Sequence, residues 1–169
     1  MKLGVLVESD DETRVAVVPN SVPKLKKLGF EVMVESGAGI SAHHVDSEYE
    51  AKGATISSRE DAMGCDILIC IGAPDFSALS AGQIVACVSD PFRHPERIRQ
   101  AMEANVTLMS MDMIPRRLSR AQAMDVNSSQ DNLAGYKAVL MGAAQVPKGV
   151  PMMTTSAGTV RPAKFVIMG

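Results

Sequence analysis

No stretch of this 169-residue sequence gathers lysine and arginine into a run, and none of its three cysteines stands in Cys-x-x-Cys spacing. Nor does any apolar stretch reach the roughly 20 residues that a membrane-crossing helix needs. Each absence excludes a class. With 17 basic and 19 acidic residues, a formal charge of −2 and no basic cluster, the chain has no source for phosphate-backbone attraction, and nucleic acid is not expected as a partner. The opening MKLGVLVE turns acidic too soon for a signal peptide, so a soluble, cytoplasmic chain is expected. Cys65, Cys70 and Cys87 form an odd set in or beside apolar runs, where a thiol acts as a small hydrophobe; neither a disulfide nor a metal site is expected. No His–Asp or Cys–His arrangement suggests nucleophilic catalysis.

What is present is alternation. Short apolar runs at 3–7, 30–35, 66–72, 84–89 and 106–112 are separated by helix-like segments, and 46% hydrophobic content is ample for a packed core. Five such runs predict an α/β fold with a mainly parallel sheet and flanking helices, Rossmann-like or flavodoxin-like. Asn20 or Ser21 can cap the first helix, with Pro23 in its first turn and Val22, Leu25 and Leu28 as an apolar stripe ended by Gly29. The segment 95–105 similarly offers Ile98, Ala101 and Met102 for burial.

After Met113 the pattern changes. Residues 114–132 are polar and irregular, as in a long functional loop; Leu133, Tyr136, Leu140, Met141 and Ala144 then recur at helical spacing. The turn-rich stretch 147–162 leads into 161–169, which reads as loop, buried strand and one glycine. That is the opening of a strand–Gly-x-Gly-x-x-Gly–helix cradle for a dinucleotide pyrophosphate, of which only the first glycine is present. The expected organisation is an N-terminal α/β domain over 1–135, then a connecting helix, loop and first strand of an incomplete Rossmann domain over 136–169. The chain is expected to belong to something larger, with residues from about 147 onward poorly ordered, folded back or paired with another chain.

Gly37-Ala38-Gly39-Ile40-Ser41-Ala42 also fits Gly-x-Gly-x-x-Gly/Ala, but no long apolar-striped helix follows, so it reads as a plain glycine turn. The adjacent His43 and His44 read as solvent-facing. The most informative stretch is 115–136, which sets cations, an amide, a carboxylate, hydroxyls and a tyrosine in an otherwise apolar region. Such a set suits a polar ring bearing a carboxamide and a ribose. Ser128-Ser129-Gln130-Asp131 equally satisfies a capping-box pattern, Arg120 reads as a solvated charge and Met124 as a gap filler.

Four stretches together resemble one family: RVAVVP at 14–19, ESGAG at 35–39, the pattern RxSRAQxMDxxSSQxNxAGY at 117–136, and TTSAGTVRPAKFVIMG at 154–169. In this order they are similar to the nucleotide-binding alpha subunit of proton-translocating nicotinamide nucleotide transhydrogenase. The resemblance implies that the segment 115–136 reaches toward NAD(H) and helps to place its nicotinamide beside a partner that binds NADP(H). The cofactor-orienting residues would be Arg117, Gln122, Asp125 and Ser128. Tyr136 is a weaker member, since packing on the helical stripe also accounts for it. Arg117 can donate to carbonyl or phosphate oxygens, Gln122 can donate and accept, Asp125 can accept from a carboxamide or pair with Arg117, and Ser128 can be both cap and contact. Hydride transfer between two nicotinamides needs no acid, base or nucleophile, so no catalytic residue is assigned. The resemblance further implies NADP-binding and membrane-spanning partner components, a homodimer, and a place peripheral to a membrane complex. The 169 residues alone are expected to be inactive and to bind NADH weakly.

Two alternatives remain. Single motifs also resemble alanine dehydrogenase, in which an arginine, a lysine and a histidine of this domain bind the substrate. Arg14 matches the arginine, but the third apolar run ends in ICIGAP without a lysine, and His94 stands in a different local pattern. The other alternative is a non-catalytic truncated remnant that only binds partners.

Overall fold

The computed structural model describes residues 1–9 and 11–168, which form two compact units, Met1–Met124 and Asp125–Gly169. In the first unit six strands, β1 (Lys2–Val5), β2 (Glu31–Glu35), β3 (Thr55–Ser57), β4 (Ile67–Gly72), β5 (Ile84–Val88) and β6 (Thr107–Ser110), form one sheet in the order β3-β2-β1-β4-β5-β6, every pair parallel. This is the doubly wound Rossmann-like order, whose direction of progression reverses between β1 and β4. Four short helices lie in the crossovers: α1 (Val22–Lys27), α2 (Asp46–Ala51), α3 (Arg59–Met63) and α4 (Pro95–Glu103).

All five expected strands are present, and β3 is an additional one. The register places Leu3, Val5, Val32, Val34 and Ile69 on one face, where they pack with Val22 and Tyr49. The opposite face carries Leu68, Val85, Cys70 and Cys87, which pack with Phe76, Ala62 and Ala101. Strands covered on both faces are what a crossover-connected parallel sheet requires. Tyr49 is fully buried and its hydroxyl donates to the Val17 carbonyl at 2.9 Å, so the one polar atom of that large ring is satisfied.

Two helix expectations need correction. Asn20 falls in a 3₁₀ turn (Pro19–Ser21), and Ser21 at the N-cap of α1 makes no side-chain cap bond. The helix is only six residues long, so Leu28 falls at its C-cap and is 73% exposed rather than within the stripe. On α4, Ala101 is buried and Ile98 half-buried, but Met102 is 74% exposed.

The three thiols are buried. Desolvation raises all three; Cys70 and Cys87 reach about 12 from 9.0, and Tyr49 about 12 from 10.0, again chiefly by desolvation. An acid whose folded pKa lies above its unfolded one favours folding fully below the unfolded value and loses that contribution as pH rises through the folded value. Stability of the first unit is therefore expected to fall as pH rises from about 9 toward about 12. Urea midpoints across that range measure it, alongside Cys87→Ala, which should flatten the decline.

The second unit contains α5 (Val126–Gln145) and an antiparallel hairpin of β7 (Met153–Thr155) and β8 (Gly158–Val160). Helix α5 starts seven residues before Leu133, inside the stretch expected to be irregular, and none of its side chains is buried. Residues 161–168, read from the sequence as the first strand of an incomplete Rossmann domain, have no regular structure here, and Val166, Ile167 and Met168 are at least 80% exposed. A central parallel strand needs ladder partners on both edges, and among the described residues none pairs with this segment. Gly169, the expected first glycine of a cradle, lies outside the described residues. Among the described residues no helix is long and apolar enough to cross a membrane.

Candidate functional site

In an open parallel sheet the loops that follow adjacent strands diverge where strand order reverses, leaving a crevice beyond the carboxyl ends. Here that crevice lies past β1 and β4, with a volume of about 240 Å³ and Glu8, Arg59, Cys70 and Asp75 in its lining. The β4–β5 register shifts between Ile69 and Gly72, where two successive amides, those of Ile71 and Gly72, bond a side chain. Glu8 takes both, Oε1 accepting from Ile71 N at 2.6 Å and Oε2 from Gly72 N at 3.1 Å. Glu35, at the end of β2, accepts from Val7 N at 2.8 Å and from the Arg59 guanidinium at 3.0 Å.

In a dinucleotide-binding Rossmann unit, a glycine-rich turn follows β1 and the acid after β2 takes a ribose hydroxyl. Here the loop after β1 is acidic, and the Glu35 carboxylate is engaged by its own chain. The pyrophosphate end of a dinucleotide does not fit this crevice. Arg14, beside a neighbouring hollow of about 120 Å³, grips Glu12 with two prongs, Nε to Oε1 at 2.8 Å and Nη2 to Oε2 at 2.6 Å. That fork holds the Glu12 carboxyl below its ordinary range, and the bond in turn raises the arginine. The arginine that a 2-oxo acid would need already holds a carboxylate. Beyond β4 stand Ala73 and Pro74, not a lysine, and His94 pairs with Glu96 at 3.0 Å.

The glycine turn after β2 has structural reasons for its residues. Gly37 has φ +84, its amide donates to Asp46 at 2.9 Å, and a Cβ on Gly39 would strike the Tyr49 ring. The following helix α2 is only six residues long. His43 is exposed, and His44 pairs with Glu48 at 2.9 Å. Among the described residues no group of three or more His, Cys, Asp or Glu is arranged to hold a metal ion.

The segment after β6 holds the sequence-derived candidates. In the first unit, Leu118 and Ala121 amides turn back to Pro115 and Leu118 carbonyls, Gln122 to Leu118, and Met124 to Ala121, so residues 115–124 are a chain of tight turns. Arg117 and Gln122 are exposed on it, and among the described residues neither side chain has a hydrogen-bond or ion-pair partner. Their donors and acceptors are therefore free for a carboxamide or a ribose, and the donor set fits the nicotinamide end of a dinucleotide.

In the second unit, Asp125 is the N-cap of α5. Its Oδ1 accepts from Ser128 N at 3.0 Å, and its Oδ2 from Ser128 Oγ at 2.6 Å. The cap is thus Asp125, and Ser128 is its partner three residues on; the expectation that Ser128 itself caps is corrected. Aspartate wins because a charged acceptor at the positive end of a helix is worth more than a hydroxyl. Tyr136 is 67% exposed within the unit, so the packing role on an apolar stripe is not realised here. Glu8, Glu12 and Asp112, which shape the carboxyl-end surface, do not stand out in the sequence; the acidic cluster at 8–12 is the available signal for the first two.

The family described as alanine dehydrogenase/PNT, N-terminal domain, matches residues 4–134. The chain is 38% identical to an NAD(P) transhydrogenase alpha-subunit chain of Rhodospirillum rubrum, over all of this chain and 47% of that protein. It is similar in structure to the transhydrogenase of Sinorhizobium meliloti, with TM-score 0.91 and 41% identity over 96% of this chain and 50% of the other. An L-alanine dehydrogenase structure gives TM-score 0.66 and 25% identity over 72% of this chain and 34% of that one. The chain spans about half the length of these two transhydrogenase relatives.

Proposed function

From a chain that belongs to the alanine dehydrogenase/PNT N-terminal domain family, we propose the NAD(H)-side component of an NAD(P) transhydrogenase, which passes hydride from NADH to NADP⁺. What carries the proposal is extent: likeness to transhydrogenases runs through 96–100% of the chain, whereas likeness to the alanine dehydrogenase structure covers 72%. When bound, NADH would supply the hydride, and Arg117 and Gln122 would hold and orient its carboxamide edge; Asp125, Ser128 and Tyr136, in the second unit, are candidates by the family resemblance alone. These residues act by orientation and by excluding water, which for a transfer between two rings is the whole of the protein's task. NADP-binding and membrane-spanning components, a homodimer, coupling to proton movement and a place at the membrane surface belong to the same proposal.

An alanine dehydrogenase reading is disfavoured by the crevice, where Arg14 is engaged by Glu12 and no lysine follows β4. The deciding experiment joins residues 1–169 to the second half of the Rhodospirillum rubrum subunit, adds an NADP-binding transhydrogenase component and follows reduction of an NADP⁺ analogue by NADH. Hydride transfer is the expected result. Alanine-dependent NADH formation would replace the proposal with the dehydrogenase, and a folded protein with neither activity would replace it with a non-catalytic remnant.

A further inference from the structure

At the carboxyl edge of the sheet, one carboxylate ties two strand ends together. Asp112, in a 3₁₀ turn (Met111–Met113) directly after β6, accepts from Ser89 N at 3.2 Å and Asp90 N at 3.0 Å, the two residues that follow β5. Successive amides aimed at one anion form a nest, and Asp90 holds the left-handed φ of +45 that such a turn requires. Ser110 Oγ donates to Asp112 Oδ1 at 2.6 Å. Its only proton is thereby used, so in the 2.6 Å contact between Ser110 and the fully buried Ser89 it is Ser89 that donates. From α4, Arg97 Nη1 binds the Ser89 carbonyl at 3.0 Å. The ends of β5 and β6 and the helix α4 thus meet at this one turn, two residues before the 115–124 segment begins.

We propose that Asp112 is a positioning residue for hydride transfer: its grip on Ser89 and Asp90 fixes where the 115–124 segment leaves the sheet, and so where Arg117 and Gln122 stand. This rests on the function proposed above. The segment is stiffened by its own backbone bonds, so an error at its root is carried to Gln122 ten residues on rather than absorbed. A displacement of about 1 Å between reacting groups costs up to about a hundredfold in rate, even when its cause is remote.

The test compares Asp112→Ala with Asp66→Ala, which removes a similar carboxylate-to-amide bond (to Lys2 N, 2.7 Å) at the opposite edge of the sheet. In the joined protein, Asp112→Ala is expected to lower kcat at least about tenfold with the NADH KM changed less than about twofold, while Asp66→Ala leaves kcat alone. In the 169-residue chain, amides of residues 117–124 should exchange about tenfold faster in Asp112→Ala and unchanged in Asp66→Ala. Asp112→Asn keeps one acceptor and should lie between, and it serves if Asp112→Ala does not fold. Unchanged kcat in a folded Asp112 variant, or equal loss in both alanine variants, overturns the proposal. Wild-type protein without hydride transfer overturns the functional reading instead, and the exchange rates then decide whether the clamp orders the segment.

Discussion

Gly4→Val is expected to yield a chain without a cooperative unfolding transition, and Gly4→Ala one that unfolds at a markedly lower urea concentration than wild type. Gly4 sits in the middle of β1, paired in register with Met33 on one side and Leu68 on the other. A Cβ there would fall on the carbonyl oxygen of Ala62 and within 2.9 Å of Leu68 Cδ2. Neither can yield cheaply: the oxygen belongs to the backbone of α3, and Leu68 is fully buried. Overpacking a core by a methyl costs about 1–3 kcal/mol, and more where backbone must move, against a total of about 5–15 kcal/mol for a domain. Gly82→Ala provides the comparison. Its φ is +87 but open space surrounds it, so only the left-handed penalty of about 1–2 kcal/mol applies. Equal urea midpoints for Gly4→Ala and Gly82→Ala would show that α3 does not press on β1 as described.

In the joined protein, Gln122→Ala and Arg117→Ala are each expected to reduce hydride transfer about a hundredfold, with smaller changes in the KM for NADH. Both side chains stand in water without a partner among the described residues, so their removal takes away no contact that holds the fold. Asp125→Ala is a poorer probe, because it also strips the N-cap from α5 and costs about 1 kcal/mol of helix stability. Arg120→Ala, in the same segment, is expected to leave the rate unchanged. The double Arg117→Ala/Gln122→Ala variant should lose less than the product of the single effects, as groups that orient one ring act together. Wild-type rates in both Arg117→Ala and Gln122→Ala would leave the segment without a role in hydride transfer.

The strands are legible in the sequence because a strand covered on both faces must be apolar throughout, and 66–72 and 84–89 could hardly be anything else. Strand β3 is not, since Thr55-Ile56-Ser57 is three residues long, half-buried at the sheet edge and polar at two positions. Short helices defeat the periodicity argument: with six residues in α1, a stripe of three positions runs off the end, as Leu28 shows. The start of α5 escapes it because its first turn is polar and is organised by an aspartate cap rather than by an apolar face. Among functional candidates, Arg117 and Gln122 can be chosen by type, since an amide and a cation in a loop advertise themselves. Asp112 and Glu8 cannot, because their partners are backbone amides, which every residue but proline carries and no sequence marks.

The acids around the crevice give this domain a particular mutational neighbourhood. Arg14 is answered by Glu12 and Arg59 by Glu35, both within the same chain, and the Ile71 and Gly72 amides are answered by Glu8. A descendant that came to recognise a small organic acid would therefore not have to acquire a positive charge. Loss of one glutamate, a single codon step, would remove a two-pronged contact and leave a portion of an anion receptor already built.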